Sequence, residues 1–377
     1  MKIAFDAKRA FNNFTGLGNY SRFIINALTQ TFKEDEHLLF TPKIAEHTDA
    51  ETFLKLHKDK VKLPSGIWKV GSLQSSWRSS KIGKLAGNAG ADVFHGLSNE
   101  LPSGLGKGIK KVVTIHDLIF LRYPDFYPAI DRMIYKKKFK SACERADQII
   151  AVSEQTKSDI IEFFGTDANK IHVVYQGVHP LYTQDIKSQR MVYLLEQYNL
   201  MQPYFLYVGS IEERKNAEDL VRAFKLVLEK VDDDLLLLIV GRKTDYQKKV
   251  ENAVKELQLD GNVRILNQVP FKNLPFLYKG ALASVYPSSF EGFGIPVLES
   301  LMMRTPVVSG KGSSLEEAGG KHALYADPKN HEELSEQMLK LVSEKAMADN
   351  MLKGVETHLE KFSPGNIAQQ MRRVYEL

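Results

Sequence analysis

Residues 288–303, Ser-Ser-Phe-Glu-Gly-Phe-Gly-Ile-Pro-Val-Leu-Glu-Ser-Leu-Met-Met, decide how this chain is read. Leu282 to Tyr286, just ahead, is a short apolar run bounded by Gly280 and Pro287, the composition of a buried strand. Pro296 suits the first position of a helix, because its φ is fixed and its missing N–H is not needed there. The unit is therefore strand, glycine-rich loop, helix. Gly292 and Gly294 let the backbone approach a ligand, and the N–H groups at the helix start present the positive end of its dipole. Glu291 falls in the loop and Glu299 in the first helical turn, so two carboxylates flank the same turn. Such a turn suits an anion that also carries hydroxyls, with phosphate on the amides and hydroxyls on the carboxylates. The plainer alternative is a surface turn with two solvated glutamates.

Working outward, the same alternation fills the chain. Lys2 to Asp6 reads as a first strand, followed by a loop with Gly16 and Gly18 and a helix that buries Tyr20, Phe23, Ile24, Ala27 and Leu28 at helical spacing. The loop is not the dinucleotide fingerprint, since no third glycine follows at the required offset. Further strands are expected at 38–41, 92–95, 111–116, 148–152 and 171–175. The strong one at 111–116 ends in His116-Asp117, at the strand edge where open parallel sheets bind ligands. There His116 could donate to a ligand oxygen, or simply cap or fill the core. Ser153 reads as the N-cap of a helix ending at Gly165.

Residues 181–203 are polar and without strand character, which places a linker there and a boundary near 184. A second α/β set starts at the strand 204–208. Its exit loop carries Arg214 and Lys215 ahead of a helix that Asn216 caps. Two cations and a helix dipole at a ligand edge favour a diphosphate. The triplet Asp232-Asp233-Asp234 is rejected as a metal site, because it precedes the strand 235–240 and so lies on the opposite edge.

The length of 377 residues favours two domains. No run approaches the roughly 18 apolar residues of a membrane span, and no signal peptide is evident. One cysteine, Cys143, rules out an internal disulfide and fits a reducing compartment, so a cytoplasmic location is expected. Residues 1–183 hold 26 Lys and Arg against 19 Asp and Glu, the remainder 25 against 27. The excess gathers at 55–84 and 135–140, which allows peripheral contact of a basic N-terminal domain with the inner membrane face. No nucleic-acid motif is present.

With two α/β halves, glutamates at 291 and 299 and an Arg-Lys pair, the chain resembles the retaining nucleotide-sugar glycosyltransferases of the two-Rossmann-domain (GT-B) type, group 1 or family 4. The resemblance is carried by TGLGNYSRFIINAL, TIHDLIFLRYPDFY, ADQIIAVSEQTKSDI, VVYQGV, YFLYVGSIEERKNAEDLVRAF and SSFEGFGIPVLESLM, in the family's order. A departure from it is Leu315 to Ala323, one residue longer than the usual pattern and without its aspartate.

The resemblance implies two Rossmann-like domains across a cleft: 1–183, binding acceptor, and 184–363, binding donor, with 364–377 crossing back to the first. It implies that Glu291 contacts donor-sugar hydroxyls and Glu299 the ribose, and that Arg214 and Lys215 hold the diphosphate. His116 would reach the donor sugar, and Gly16 and Gly18 would close on the phosphates. The backbone of Phe293, Gly294 and Ile295 would lie under sugar and phosphate. No metal or cofactor is implied, the nucleotide sugar being a substrate. The expected reaction moves a hexose, with a lean to GDP-mannose, onto a glycan or lipid-linked glycan with retention. A nucleotide-sugar epimerase and an inactive sugar-nucleotide binder are the alternatives, and a nicotinamide oxidoreductase fits least.

Overall fold

The computed structural model describes residues 1–71, 73–232 and 234–377. The chain forms two compact units, one of residues 1–177 with 361–377, the other of residues 178–360. Composition suggested a division near 184. The observed division is earlier because Tyr182 is buried in the second unit, its ring 5.8 Å from Tyr278 and 6.2 Å from Phe271.

Among the described residues, unit 1 holds seven strands: β1 (Lys2–Asp6), β2 (Glu36–Phe40), β3 (Val61–Lys62), β4 (Val93–Gly96), β5 (Lys110–Ile115), β6 (Gln148–Ala151) and β7 (Ile171–Val173). All pairings are parallel, in the order β3-β2-β1-β4-β5-β6-β7. Unit 2 holds β8 (Tyr204–Val208), β9 (Leu236–Val240), β10 (Val263–Leu266), β11 (Ala283–Tyr286), β12 (Val307–Gly310) and β13 (Leu324–Ala326), also parallel, ordered β10-β9-β8-β11-β12-β13. Central strands covered on both faces must be apolar throughout, which is why Leu236 to Val240 and Tyr204 to Tyr207 are buried without alternation. β3 and β13 escape a sequence reading because two or three residues at a sheet edge carry no period. In each unit the strand order reverses once, between β1 and β4 and between β8 and β11. Ligands of open α/β sheets bind beyond the strand carboxyl ends at that reversal.

Several local expectations shift. The helix Gly16–Thr31 begins at Gly16, so both glycines lie in its first turn. The helix Ile295–Met302 places Pro296 second and Glu299 beyond the first turn. Ser153 does cap its helix, accepting from the Thr156 N–H at 3.0 Å, and Gly165 ends it at φ 65°. Asp233 of the acidic triplet lies outside the described residues, and Asp232 and Asp234 lie in the connection leading to the amino end of β9.

The last helix, Pro364–Glu376, packs in unit 1 against the helix Gly16–Thr31. Its Tyr375 hydroxyl lies 2.7 Å from His95 Nδ1. His95 Nε2 lies 2.8 Å from Thr114 Oγ1, which is 2.9 Å from the Tyr20 hydroxyl. All four side chains are buried, and burial lowers the His95 pKa to about 3, so the chain of hydrogen bonds runs through neutral groups. Arg372 pairs with Asp35, which also takes the N-terminal amine at 2.8 Å. Tyr375→Phe keeps the ring but strands His95 Nδ1, so chemical denaturation followed by circular dichroism should show a loss of about 1–3 kcal/mol. An unchanged midpoint would remove the hydroxyl from the account.

Candidate active site

At the reversal in unit 2, the loops leaving β8 and β11 are tied by a part-buried ion pair. Arg214 Nη1 lies 2.7 Å from Glu291 Oε1. The same nitrogen donates to Ser288 Oγ at 3.2 Å and to the Phe290 carbonyl. Oε1 of Glu291 also accepts from the Tyr286 hydroxyl at 2.7 Å and Ser288 Oγ at 2.9 Å. Burial alone would raise the Glu291 pKa, but the charges of Arg214 and Lys215 and the donated hydrogen bonds bring it down to about 2. Arg214 is thus largely committed to holding the 288–291 loop.

Lys215 is the cation with charge to offer. It has no carboxylate within ion-pair range among the described residues. Its ammonium sits 5.7 Å from the centre of the Tyr286 ring, and its charge lowers both Glu291 and Glu299. Asn216 was expected to cap the helix Ala217–Leu228. Instead it adopts a left-handed conformation and its amide donates to the Pro287 carbonyl at 2.7 Å and Ser289 Oγ at 2.8 Å. A capping residue has thereby become a second staple between the two loops.

The helix start has the geometry an anion requires. Gly294 sits at φ 119°, and a Cβ there would lie 2.9 Å from Leu315 Cδ2, so only glycine fits. The Val297 and Leu298 amides turn back to the Gly294 carbonyl at 3.1 and 3.3 Å, and Pro296 has no N–H. The Gly294 and Ile295 amides are left without a partner among the described residues. Phe293 is buried, so its side chain is core and its backbone alone borders the turn. Behind this turn, Glu299 is 7% exposed and accepts from the Tyr278 hydroxyl at 3.1 Å. Burial raises its pKa to about 8, against the opposing effects of Tyr278, Tyr182 and Lys215. The site residues 214, 215, 291, 294, 295 and 299 are therefore brought together at one sheet edge.

In unit 1 the structure assigns Gly18 a packing reason. A Cβ there would fall 1.7 Å from the Asn13 carbonyl oxygen, whereas Gly16 meets nothing within 4 Å. Asn13 Oδ1 accepts from the amides of Thr15 and Gly18, at 3.1 and 3.0 Å, and from the Thr15 hydroxyl at 3.0 Å. His116 stands just beyond β5, 7% exposed, with the Tyr20 ring edge-on at 4.6 Å. Its Nε2 lies 2.9 Å from the Leu97 carbonyl, so Nε2 carries the proton, and burial lowers the pKa to about 4. The imidazole is neutral with its one N–H spent on the backbone. Nδ1 can then accept from a hydroxyl but not donate, the reverse of the donor role suggested above.

Sequence reasoning missed the contacts of Tyr286, Ser288 and Tyr278, and gave Asn216 a cap's role instead of its tie between loops. Nothing in their spacing marks them, because each acts through a side-chain contact that only the folded chain makes. Among the described residues no group of three or more His, Cys, Asp or Glu is placed to hold a metal ion.

The raised Glu299 pKa has a signed consequence. Between about 4.5 and 8 the folded protein holds a proton that the unfolded chain has released, so stability falls as pH rises through that window. Glu299→Gln removes this dependence. Urea midpoints measured from pH 5 to pH 9 should fall for the wild type and flatten for the variant. Parallel curves would refute the assignment.

The family model described as "Glycosyl transferases group 1" matches residues 196–357, and that described as "Glycosyltransferase Family 4" matches 14–180. The O-antigen chain mannosyltransferase B of Escherichia coli is 26% identical, with 100% of each chain covered. The O-antigen chain mannosyltransferase RfbU of Salmonella typhimurium is 32% identical over 58% of this chain and 57% of its own. Among solved structures, Anabaena HepE in complex with UDP and glucose aligns with a TM-score of 0.74 at 16% identity, covering 100% of this chain and 99% of HepE, a likeness of fold. The two sheets, the arrangement at residues 214–299 and these matches agree, and the chain belongs to the group 1 glycosyltransferases built from two Rossmann-like domains.

Proposed function

We propose that the protein transfers a hexose, with GDP-mannose the favoured donor, to a glycan or lipid-linked glycan acceptor, retaining the anomeric configuration and using no metal. The observation that carries this reading is the Arg214–Glu291 pair with Lys215 beside it, next to the open amides of Gly294 and Ile295. The names of the two O-antigen mannosyltransferase relatives support the choice of sugar and the glycan acceptor.

In this scheme the donor's diphosphate lies on Lys215 and on the amides at the start of the helix Ile295–Met302. Those groups stabilise the charge that develops as the diphosphate leaves. Glu291 takes sugar hydroxyls through Oε2, which has no hydrogen-bond partner among the described residues, and Glu299 takes the ribose. His116 accepts from a sugar hydroxyl through Nδ1. A carboxyl held at about 2 is a poor proton acceptor at neutral pH, which argues against Glu291 as general base. The departing phosphate oxygen then takes the acceptor proton, and the acceptor attacks the face that the phosphate leaves.

Lys215→Ala should lower kcat about 10²–10³-fold with the thermal midpoint unchanged. The donor is found from a thermal-shift panel of GDP, UDP and ADP sugars, and the anomeric configuration by NMR of the product. Wild-type turnover in the variant, or inversion, would overturn the scheme.

Peripheral membrane contact is part of this reading. The helix Ala129–Arg145 exposes Ile130 (68%), Met133 (66%) and Ile134 (43%) beside exposed Lys136, Lys137 and Lys140. Apolar side chains flanked by lysines match the headgroup boundary of an anionic bilayer. Cosedimentation with phosphatidylglycerol-containing vesicles should exceed that with pure phosphatidylcholine, and Ile130→Ser/Met133→Ser/Lys137→Ser should abolish the difference. Equal binding by wild type and variant would remove this face from the account.

A further inference from the structure

The carboxyl edge of the unit 1 sheet carries a second charged cluster, again at the reversal in strand order. β1 ends at Asp6, and Lys8 and Arg9 follow after Ala7; β4 leads into Ser98-Asn99-Glu100. Arg78, from the helix Leu73–Ser80, bridges the two exits. Its Nη2 lies 2.7 Å from Asp6 Oδ2 and its Nη1 2.8 Å from Glu100 Oε2. Lys138 Nζ adds a contact to Glu100 Oε1 at 3.1 Å. Both carboxylates are thereby taken up.

Lys8 and Arg9 are left over. Neither side chain has a hydrogen bond or ion pair among the described residues, and the Arg9 Nε is buried with no partner. Asp6 Oδ1 receives only the Lys8 backbone N–H, at 3.3 Å. Burial lowers the Lys8 pKa, and Arg78 and Arg9 lower it further, by more than Asp6 and Glu100 restore. The Arg9 charge also acts on His116, and its carbonyl lies 3.1 Å from where a Gly18 Cβ would stand. Four cations and two carboxylates thus meet beside His116 and the first turn of the glycine helix. Partly buried cations in surplus are costly unless an anion completes them. An ammonium next to a guanidinium fork suits a multiply charged tetrahedral oxyanion.

We propose that Lys8 and Arg9 form a phosphoryl-binding subsite in unit 1 that grips a phosphate or diphosphate carried by the acceptor. This rests on the transferase reading and adds to it that the acceptor is a phosphoryl-linked glycan. The reaction class that supplies such an acceptor must first attach a sugar to a phosphate or diphosphate carrier.

The test uses the full-length protein. Nucleoside diphosphate binding is measured first by calorimetry; if none of GDP, UDP and ADP binds, the transferase reading itself fails. With the tightest of them saturating, inorganic pyrophosphate is then titrated. Wild type should bind one further equivalent. Lys8→Gln/Arg9→Gln should weaken that binding about tenfold or more while leaving nucleoside diphosphate affinity unchanged. Lys8→Arg/Arg9→Lys, which keeps both charges, should retain it, and equal thermal midpoints exclude misfolding. Unchanged pyrophosphate binding in the Gln variant, or no second equivalent in wild type, overturns the subsite alone. Displacement of pyrophosphate by phosphatidylglycerol vesicles would assign the cluster to a lipid headgroup and also overturn the proposal.

Discussion

The part-buried contact between Arg214 and Glu291 is the constraint on which unit 2 depends. It joins the loops that leave two adjacent strands, β8 and β11, at the place where the sheet reverses its order. Removing either partner would leave the other's part-buried charge without its nearest counter-ion. The pair is reinforced rather than isolated: the Ser289 amide donates to the Arg214 carbonyl at 2.9 Å, and Asn216 spans the same gap. With these ties in place, the amides of Gly294 and Ile295 and the ammonium of Lys215 are held in position before any ligand arrives. Preorganisation of that kind is what makes fixed charges effective when a diphosphate departs.

The two glutamates show how one sheet edge creates two chemically different carboxyls. Glu291, next to a guanidinium and three hydrogen-bond donors in all, stays ionised down to about pH 2. Glu299, eight residues on, is buried among tyrosines with a more distant cation, and its pKa reaches about 8. Near neutrality the first can only accept hydrogen bonds, while the second can donate as well as accept. Environments that push paired carboxyls apart in this way commonly separate their roles.

Unit 1 solves a different problem with the same topology. Its reversal point lies between β1 and β4, but the carboxylates there are consumed by Arg78 and Lys138, which leaves positive charge near His116. Deeper in the sheet, His95 is locked by Tyr375 and Thr114, so the final helix is part of unit 1 although it lies nearly two hundred residues further along the chain than β7. With residues 361–377 included, the unit carries 29 Lys and Arg against 20 Asp and Glu, a stronger imbalance than residues 1–183 show.

The amino-acid sequence on its own determined the alternation of strands and helices, and with it the doubly wound class. Continuous apolar runs as short as Leu236–Val240 read as central parallel strands by their length and flanking turns, and a glycine-rich turn between strand and helix can be read locally. It also marked Lys215, Glu291, Gly294, Glu299 and His116, since each lies just beyond a strand or in the helix that follows one. What it left open depends on contacts between segments far apart in the chain. That Arg214 serves Glu291 first, that Asn216 is a staple and not a cap, and that Gly18 makes room for the Asn13 carbonyl follow from loop-to-loop distances. The proton on His116 was likewise set by the Leu97 carbonyl, 19 residues away. Local propensity acts within a few residues, whereas charge and hydrogen bonding act across space, and only the folded chain decides which groups stand within their reach.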